Sequence, residues 1–103
     1  MNESPTTREE MLEFLRESDI RDSRVMAAMA TVPREEFVPP GVRHLAYGQN
    51  PLAIGHGQTI STPFIVASMT ELLELQNSEK LLEIGTGCGY QTAVLCEIIK
   101  EVW

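Results

Sequence analysis

Basic residues are scarce in this chain: Lys and Arg number 8 among 103 residues, against 15 Asp and Glu, for a net charge of −7. No run of basic residues occurs. Phosphate backbones are held by clustered Lys and Arg, so nucleic acid is not an expected partner. The acidic balance does not exclude an anionic substrate group, because the field in a site is set locally. Long apolar stretches are also missing. Nothing approaches the roughly 18 consecutive apolar residues of a bilayer-spanning helix, so no membrane partner is expected. The opening MNESPTTREE is polar and acidic, unlike a secretory signal. Cysteine is limited to Cys88 and Cys96, with no CxxC pair and no His or third Cys at zinc spacing. Neither a disulfide framework nor a metal site is expected, and reduced thiols in a cytoplasmic protein is the simplest reading.

What is present suffices for one packed domain: 43% of residues are hydrophobic and 22% charged. TTREEMLEFLRES predicts a helix capped by Thr6 or Thr7, with Glu9 or Glu10 closing a capping box and Met11, Leu12 and Leu15 forming the apolar stripe. DSRVMAAMATVP predicts a second helix, capped by Asp22 or Ser23, with Val25, Met26 and Met29 inward and Pro33 ending it. PREEFVPPG reads as a short helical turn. GVRHLAYGQNPLAIGHGQTIS carries four of the seven glycines and no acidic residue. It reads as loop and short extended pieces, longer than a connector requires, and such loops tend to carry function. STPFIVASMTELLELQ predicts a helix capped by Ser61 or Thr62, with Ile65, Val66, Met69, Leu72 and Leu73 as its buried face. KLLEIG predicts a strand buried through Leu81, Leu82 and Ile84, YQTAVLCEIIK a helix with Ala93, Val94, Ile98 and Ile99 apolar, and EVW the start of another strand.

Between the KLLEIG strand and the following helix stands Gly85-Thr86-Gly87-Cys88-Gly89. Glycine lets the backbone turn sharply and approach a ligand, and the helix N-terminus aims N–H groups at whatever occupies the loop. The pattern is neither the dinucleotide fingerprint GxGxxG, since Tyr90 stands at the third glycine, nor a P-loop, since no Gly-Lys-Ser/Thr follows. Glu83, two residues before Gly85, would repel a pyrophosphate and suits a ligand with an ammonium or sulfonium group. S-adenosylmethionine has both. A tight strand-to-helix turn without a ligand is the plain alternative. GHGQTISTP is the second constellation, placing the Thr59, Ser61 and Thr62 hydroxyls near a helix start. Ser61 or Thr62 could be only an N-cap there. His44 and His56 read as loop histidines without a catalytic role.

Together, VMAAMATVPREEFVPP, HLAY, PLAIGHGQTISTPFIVASMTELLEL and KLLEIGTGCGYQTAVL resemble the protein-L-isoaspartate O-methyltransferase family from about Arg24 to Trp103. GxGQTIS followed by Pro is the specific part; the glycine loop alone indicates only the wider class I methyltransferase superfamily. The resemblance implies an α/β fold, the N-terminal part of a class I S-adenosylmethionine-dependent, Rossmann-like methyltransferase, preceded by a helical region and ending after the first βα unit. It implies a repair enzyme that methylates the abnormal carboxylate of L-isoaspartyl residues in damaged proteins and peptides; the ester then collapses to a succinimide that partly reopens as aspartate. Ser61 would be the catalytic hydroxyl. Gln58, Thr59, Ile60 and Ser61, with Glu83, Gly85, Thr86, Gly87 and Cys88, would lie against the cofactor. Gln49 and Ala53 stand where the family commonly has an acidic residue and a proline.

The expected organisation is a helical region at 1–41, a substrate and cofactor loop region at 42–62, and an incomplete methyltransferase domain at 63–103. An acidic residue for a ribose is expected about 20 residues after the first glycine, beyond Trp103. The expectation is therefore an N-terminal portion, marginally stable or self-associating and inactive alone. The other readings are a nucleotide-binding module of another class and a non-catalytic fragment that contacts proteins.

Overall fold

In the computed structural model, residues 5–55, 57–75, 80–83, 87–99 and 101–103 are described. Thr7 opens the first helix, α1 (Arg8–Glu17): its hydroxyl accepts from the Glu10 backbone N–H while the Glu10 carboxylate reaches back to the Thr7 N–H, a complete capping box. Asp22 caps α2 (Ser23–Thr31), accepting from the N–H groups of Arg24 and Val25. A 3-10 turn, Arg34–Phe37, follows, then a second one, Pro40–Leu45, in a stretch expected to be loop. The short extended pieces form a hairpin, β1 (Leu52–Gly55) antiparallel to β2 (Gln58–Ile60). Gly55 and Gly57 both have positive φ at its turn, which side chains resist. α3 (Pro63–Leu72) is capped by Thr62, whose hydroxyl accepts from the Ile65 N–H at 3.3 Å.

β3 (Lys80–Leu81), α4 (Tyr90–Cys96) and β4 (Glu101–Val102) then form a parallel crossover unit. Its ladder continues through Trp103 N–H to Leu81 C=O (2.7 Å) and Glu83 N–H to Trp103 C=O (2.6 Å), so Glu101 and Val102 of EVW form the strand expected there, with Trp103 bonded at its end. α1, α2, α3 and α4 share one core: Met11 and Leu15, then Val25, Ala28 and Met29, then Val66 and Ala67, then Tyr90, Val94 and Leu95, with Ile98 and Ile99 beyond. Met26 and Ala93 are only half-buried.

Two expected burials fail. On α3 the inward residues are Pro63, Val66, Ala67 and Thr70, whereas Ile65, Met69, Leu72 and Leu73 are 43%, 58%, 79% and 48% exposed. PFIVASMTEL is apolar on nearly every side, so its composition does not choose a face. Packing on α1 and α2 selects the stripe with the small residue Ala67, which lets the helices approach. Leu82 is 70% exposed and lies just past the two paired residues of β3. Ile84, the third residue expected to bury that strand, lies outside the described residues.

Candidate functional site

The end of β2, the start of α3 and the start of α4 converge. A cleft of about 110 Å³ opens where they meet, lined by Thr59, Ile60, Ser61, Val66, Gly87, Cys88, Tyr90 and Gln91. Two constellations that lie more than twenty residues apart in sequence thus share one surface. Of the residues expected at a site, Thr59, Ile60, Ser61, Gly87 and Cys88 line the cleft. Gln58 is exposed on β2 outside the lining, and Gly85 and Thr86 lie outside the described residues.

Thr62 takes the helix-capping role, which leaves the neighbouring hydroxyl available. Ser61 is exposed, and its hydroxyl makes no hydrogen bond among the described residues. Its carbonyl, by contrast, is fixed, accepting from Arg34 Nη2 at 2.8 Å. Across the cleft, Gly87 and Gly89 have φ of 60° and 89°, and Gly89 leads directly into α4. Cys88 is a half-buried free thiol. Gln91 is oriented by donating to the Thr70 hydroxyl at 2.7 Å, which donates in turn to the Val66 carbonyl at 2.7 Å. Glu83 is half-buried outside the lining, where its carboxylate accepts from the Thr92 hydroxyl.

The floor of the cleft is aromatic, and a buried cation lies behind it. Tyr90 is buried, edge-on to Phe37 at 5.6 Å, and its hydroxyl faces the Met29 sulfur at 3.7 Å. Burial raises the Tyr90 pKa to about 12, with the nearby Arg34 charge opposing, so the phenol is neutral at physiological pH. Arg34 is fully buried against it, and burial lowers its pKa from the ordinary arginine value. Sequence reasoning did not assign Val66, Tyr90, Gln91 or Arg34 to the site, although it expected Val66 to be buried. Which way a helical side chain faces depends on packing, and Arg34 stands beside Glu35 and Glu36, so nothing in the sequence marks it as the buried one of the three.

The contents fit one end of a polar ligand. Hydroxyls and the positive-φ Gly87 line the cleft, but its volume is well short of the roughly 300–1,000 Å³ of complete small-molecule pockets. Among the described residues no group of three or more His, Cys, Asp or Glu could hold a metal ion, and no helix is long and apolar enough to cross a membrane.

Comparison with known proteins agrees with this layout. The chain is 54% identical over 97 residues to a protein-L-isoaspartate O-methyltransferase of Aliivibrio fischeri, covering 93% of this chain and 47% of the relative. It is 57% identical over 93 residues to the Vibrio parahaemolyticus protein of that name, covering 90% and 45%. An Opitutus terrae protein of that name is 57% identical, with 93% and 42% covered. The chain therefore spans somewhat under half the length of these relatives. A solved protein-L-isoaspartate O-methyltransferase superposes with a TM-score of 0.77 at 28% identity, over 93% of this chain and 32% of that one. A Plasmodium falciparum structure described as a beta-aspartate methyltransferase in complex with S-adenosyl-L-homocysteine gives 0.74 at 28% identity, over 89% and 42%. The family model of protein-L-isoaspartate(D-aspartate) O-methyltransferase matches residues 6–103, and the chain belongs to that family.

Proposed function

We propose that the chain serves S-adenosylmethionine-dependent methylation of the free carboxylate of L-isoaspartyl residues in damaged proteins and peptides. The observation that carries this is the meeting of the Ser61 loop with the Gly87–Gly89 turn on one cleft. When bound, S-adenosylmethionine supplies an activated methyl group on a positively charged sulfur. A carboxylate is already ionised at neutral pH, so the residues need supply no strong base. Their work is alignment. The Ser61 hydroxyl would donate to one carboxylate oxygen of the substrate and leave the other free to take the methyl group. Thr59 and the backbone of Gly87 and Cys88 would hold the amino-acid end of the cofactor, a role also assigned by the family resemblance to Gln58, Gly85 and Thr86. The Glu83 carboxylate, tied by Thr92, favours positive charge nearby. Val66, Ile60 and the Tyr90 ring exclude water.

In this reading 1–41 is a helical region, 42–62 the substrate and cofactor loops, and 63–103 the opening of the Rossmann-like unit. The unpaired thiols of Cys88 and Cys96 favour a cytoplasmic setting. Calorimetric titration with S-adenosylhomocysteine, with NAD as control, tests it: saturable binding of the first alone is expected. Binding of NAD, or of neither, counts against it. A second reading, a non-catalytic protein-interaction module, is favoured by the exposed apolar face of α3. A folded chain that binds no cofactor selects that reading.

A further inference from the structure

We propose that Arg34 is the positioning residue of the cleft, a buried clamp that fixes the Ser61 loop relative to the start of α4. Arg34 has no exposed surface. Its Nε–H donates to the Ala46 carbonyl, and Nη2 donates to the Ser61 carbonyl at 2.8 Å. Its guanidinium carbon lies 4.8 Å from the centroid of the Tyr90 ring. Tyr90 is the first residue of α4, immediately after the positive-φ Gly89. One side chain therefore touches three separated segments: the turn after Pro40–Leu45, the peptide preceding α3, and the helix that carries the glycine turn. Two of these bear the opposite walls of the cleft.

The chemistry of the group explains why arginine stands here. A buried cation is costly unless it is paired, yet no carboxylate pairs with Arg34 among the described residues. Backbone carbonyls and a ring face carry the charge instead. A guanidinium is planar and presents five N–H donors in a fixed fork, so it can bond two carbonyls while lying flat on an aromatic ring. An ammonium cannot do all three. Nη1 is buried with no partner, so the arrangement is held by the other contacts and not by full satisfaction of the group. Arg34 does not line the cleft, and its effect on chemistry passes through the Ser61 peptide.

This inference rests on the functional reading above only for the use of the cleft; the clamp itself is a structural claim with its own readout. The experiment compares the wild-type chain with Arg34→Lys and Arg34→Met. In nitrogen-resolved NMR, the wild-type Arg34 Nε–H is expected as a slowly exchanging signal, distinct from the exposed arginines. Both variants are expected to raise amide exchange about tenfold or more in β2 and the first turns of α3 and α4, with α1 amides less affected. Affinity for S-adenosylhomocysteine is expected to fall by a similar factor, and Lys is not expected to rescue it. A rapidly exchanging Nε–H, exchange raised equally in every helix, or full rescue by Lys overturns the proposal. If Arg34→Met does not fold, the wild-type signal and Arg34→Lys decide the matter. If the wild-type chain binds no S-adenosylhomocysteine, the functional reading falls and the exchange data alone judge the clamp.

Discussion

Ser61 and Thr62 are adjacent hydroxyl residues with divided labour. A cap must place its oxygen over the N–H three residues on, and Thr62 does so toward Ile65. Ser61 accepts no helix N–H and faces the cleft instead. Their alanine variants are therefore expected to fail differently. Thr62→Ala costs about 1 kcal/mol of stability through the lost cap. Ser61→Ala stays within about 0.5 kcal/mol of wild type, as exposed substitutions do. It is expected to slow methyl transfer to an isoaspartyl peptide roughly ten- to a hundredfold, the worth of one hydrogen bond to a charged group. Thermal unfolding of both variants, and a methyl-transfer assay with the same substitutions in the full-length context, check the division; equal rates there for Ser61→Ala and wild type refute the role given to Ser61. A second residue-scale effect concerns acid. The Tyr47 hydroxyl donates to Glu35, and with Arg8 and Arg43 nearby this holds the Glu35 pKa below the ordinary glutamate value. A depressed folded-state pKa stabilises the fold above the unfolded value, about 4.3, and that contribution is lost as pH falls through the folded value. Glu35→Gln should lower the thermal midpoint near neutrality and flatten its fall below about pH 5. The carboxylate is partly exposed, so the effect is modest.

At the scale of elements, sequence signals were strong where a local rule decides the outcome. The capping box of α1, the Asp22 cap of α2, Pro63 in the first turn of α3 and the start of α4 directly after a glycine are all local, and each is found where expected. The signals failed where a second element decides. The 3-10 turn at Pro40–Leu45 has no periodic pattern to reveal it. α3 offers apolar residues on both sides, so only its neighbours could settle which side is buried. The same holds at the cleft: Ser61, Gly87 and Cys88 come from recognisable loops, whereas Arg34, Val66 and Gln91 contribute only through packing. One tie between elements was equally invisible. The Glu71 carboxylate at the end of α3 accepts from the backbone N–H groups of Arg21 and Asp22, both at 2.7 Å, just before α2. Glu71→Ala is expected to cost about 1 kcal/mol, since these donors are exposed or half-buried and water can take the place of the lost acceptor. Hydrogen exchange should show the loss concentrated at residues 21–25. A stability change spread evenly over the chain would mean the contact is incidental.

On the scale of the whole molecule, the core and the surface tell different stories. Four helices bury a continuous cluster, so the described elements have an interior of their own. Outside it, Ile65, Met69, Leu72 and Leu73 lie exposed on one helix and the turn after it, while Leu82 and Trp103 are exposed on the strand unit. The β3–β4 ladder has only two strands among the described residues, which leaves backbone donors and acceptors unclaimed along its edges. Scattered apolar residues on a surface are ordinary, but several on one helix face form a patch that water disfavours. Such a patch is relieved by contact with another apolar surface, and in a purified sample the available surface is another copy of the chain. Sedimentation velocity over a wide concentration range is expected to show reversible self-association. The double variant Met69→Glu with Leu72→Glu places charge at the two most exposed positions on α3 and touches none of its buried stripe. It should therefore remain folded and sediment as a monomer at concentrations where wild type associates. If both sediment as monomers throughout, the α3 face is inert in solution. If both associate alike, the open strand edge is the sticky element, and charge introduced at Leu82 becomes the substitution expected to separate the copies.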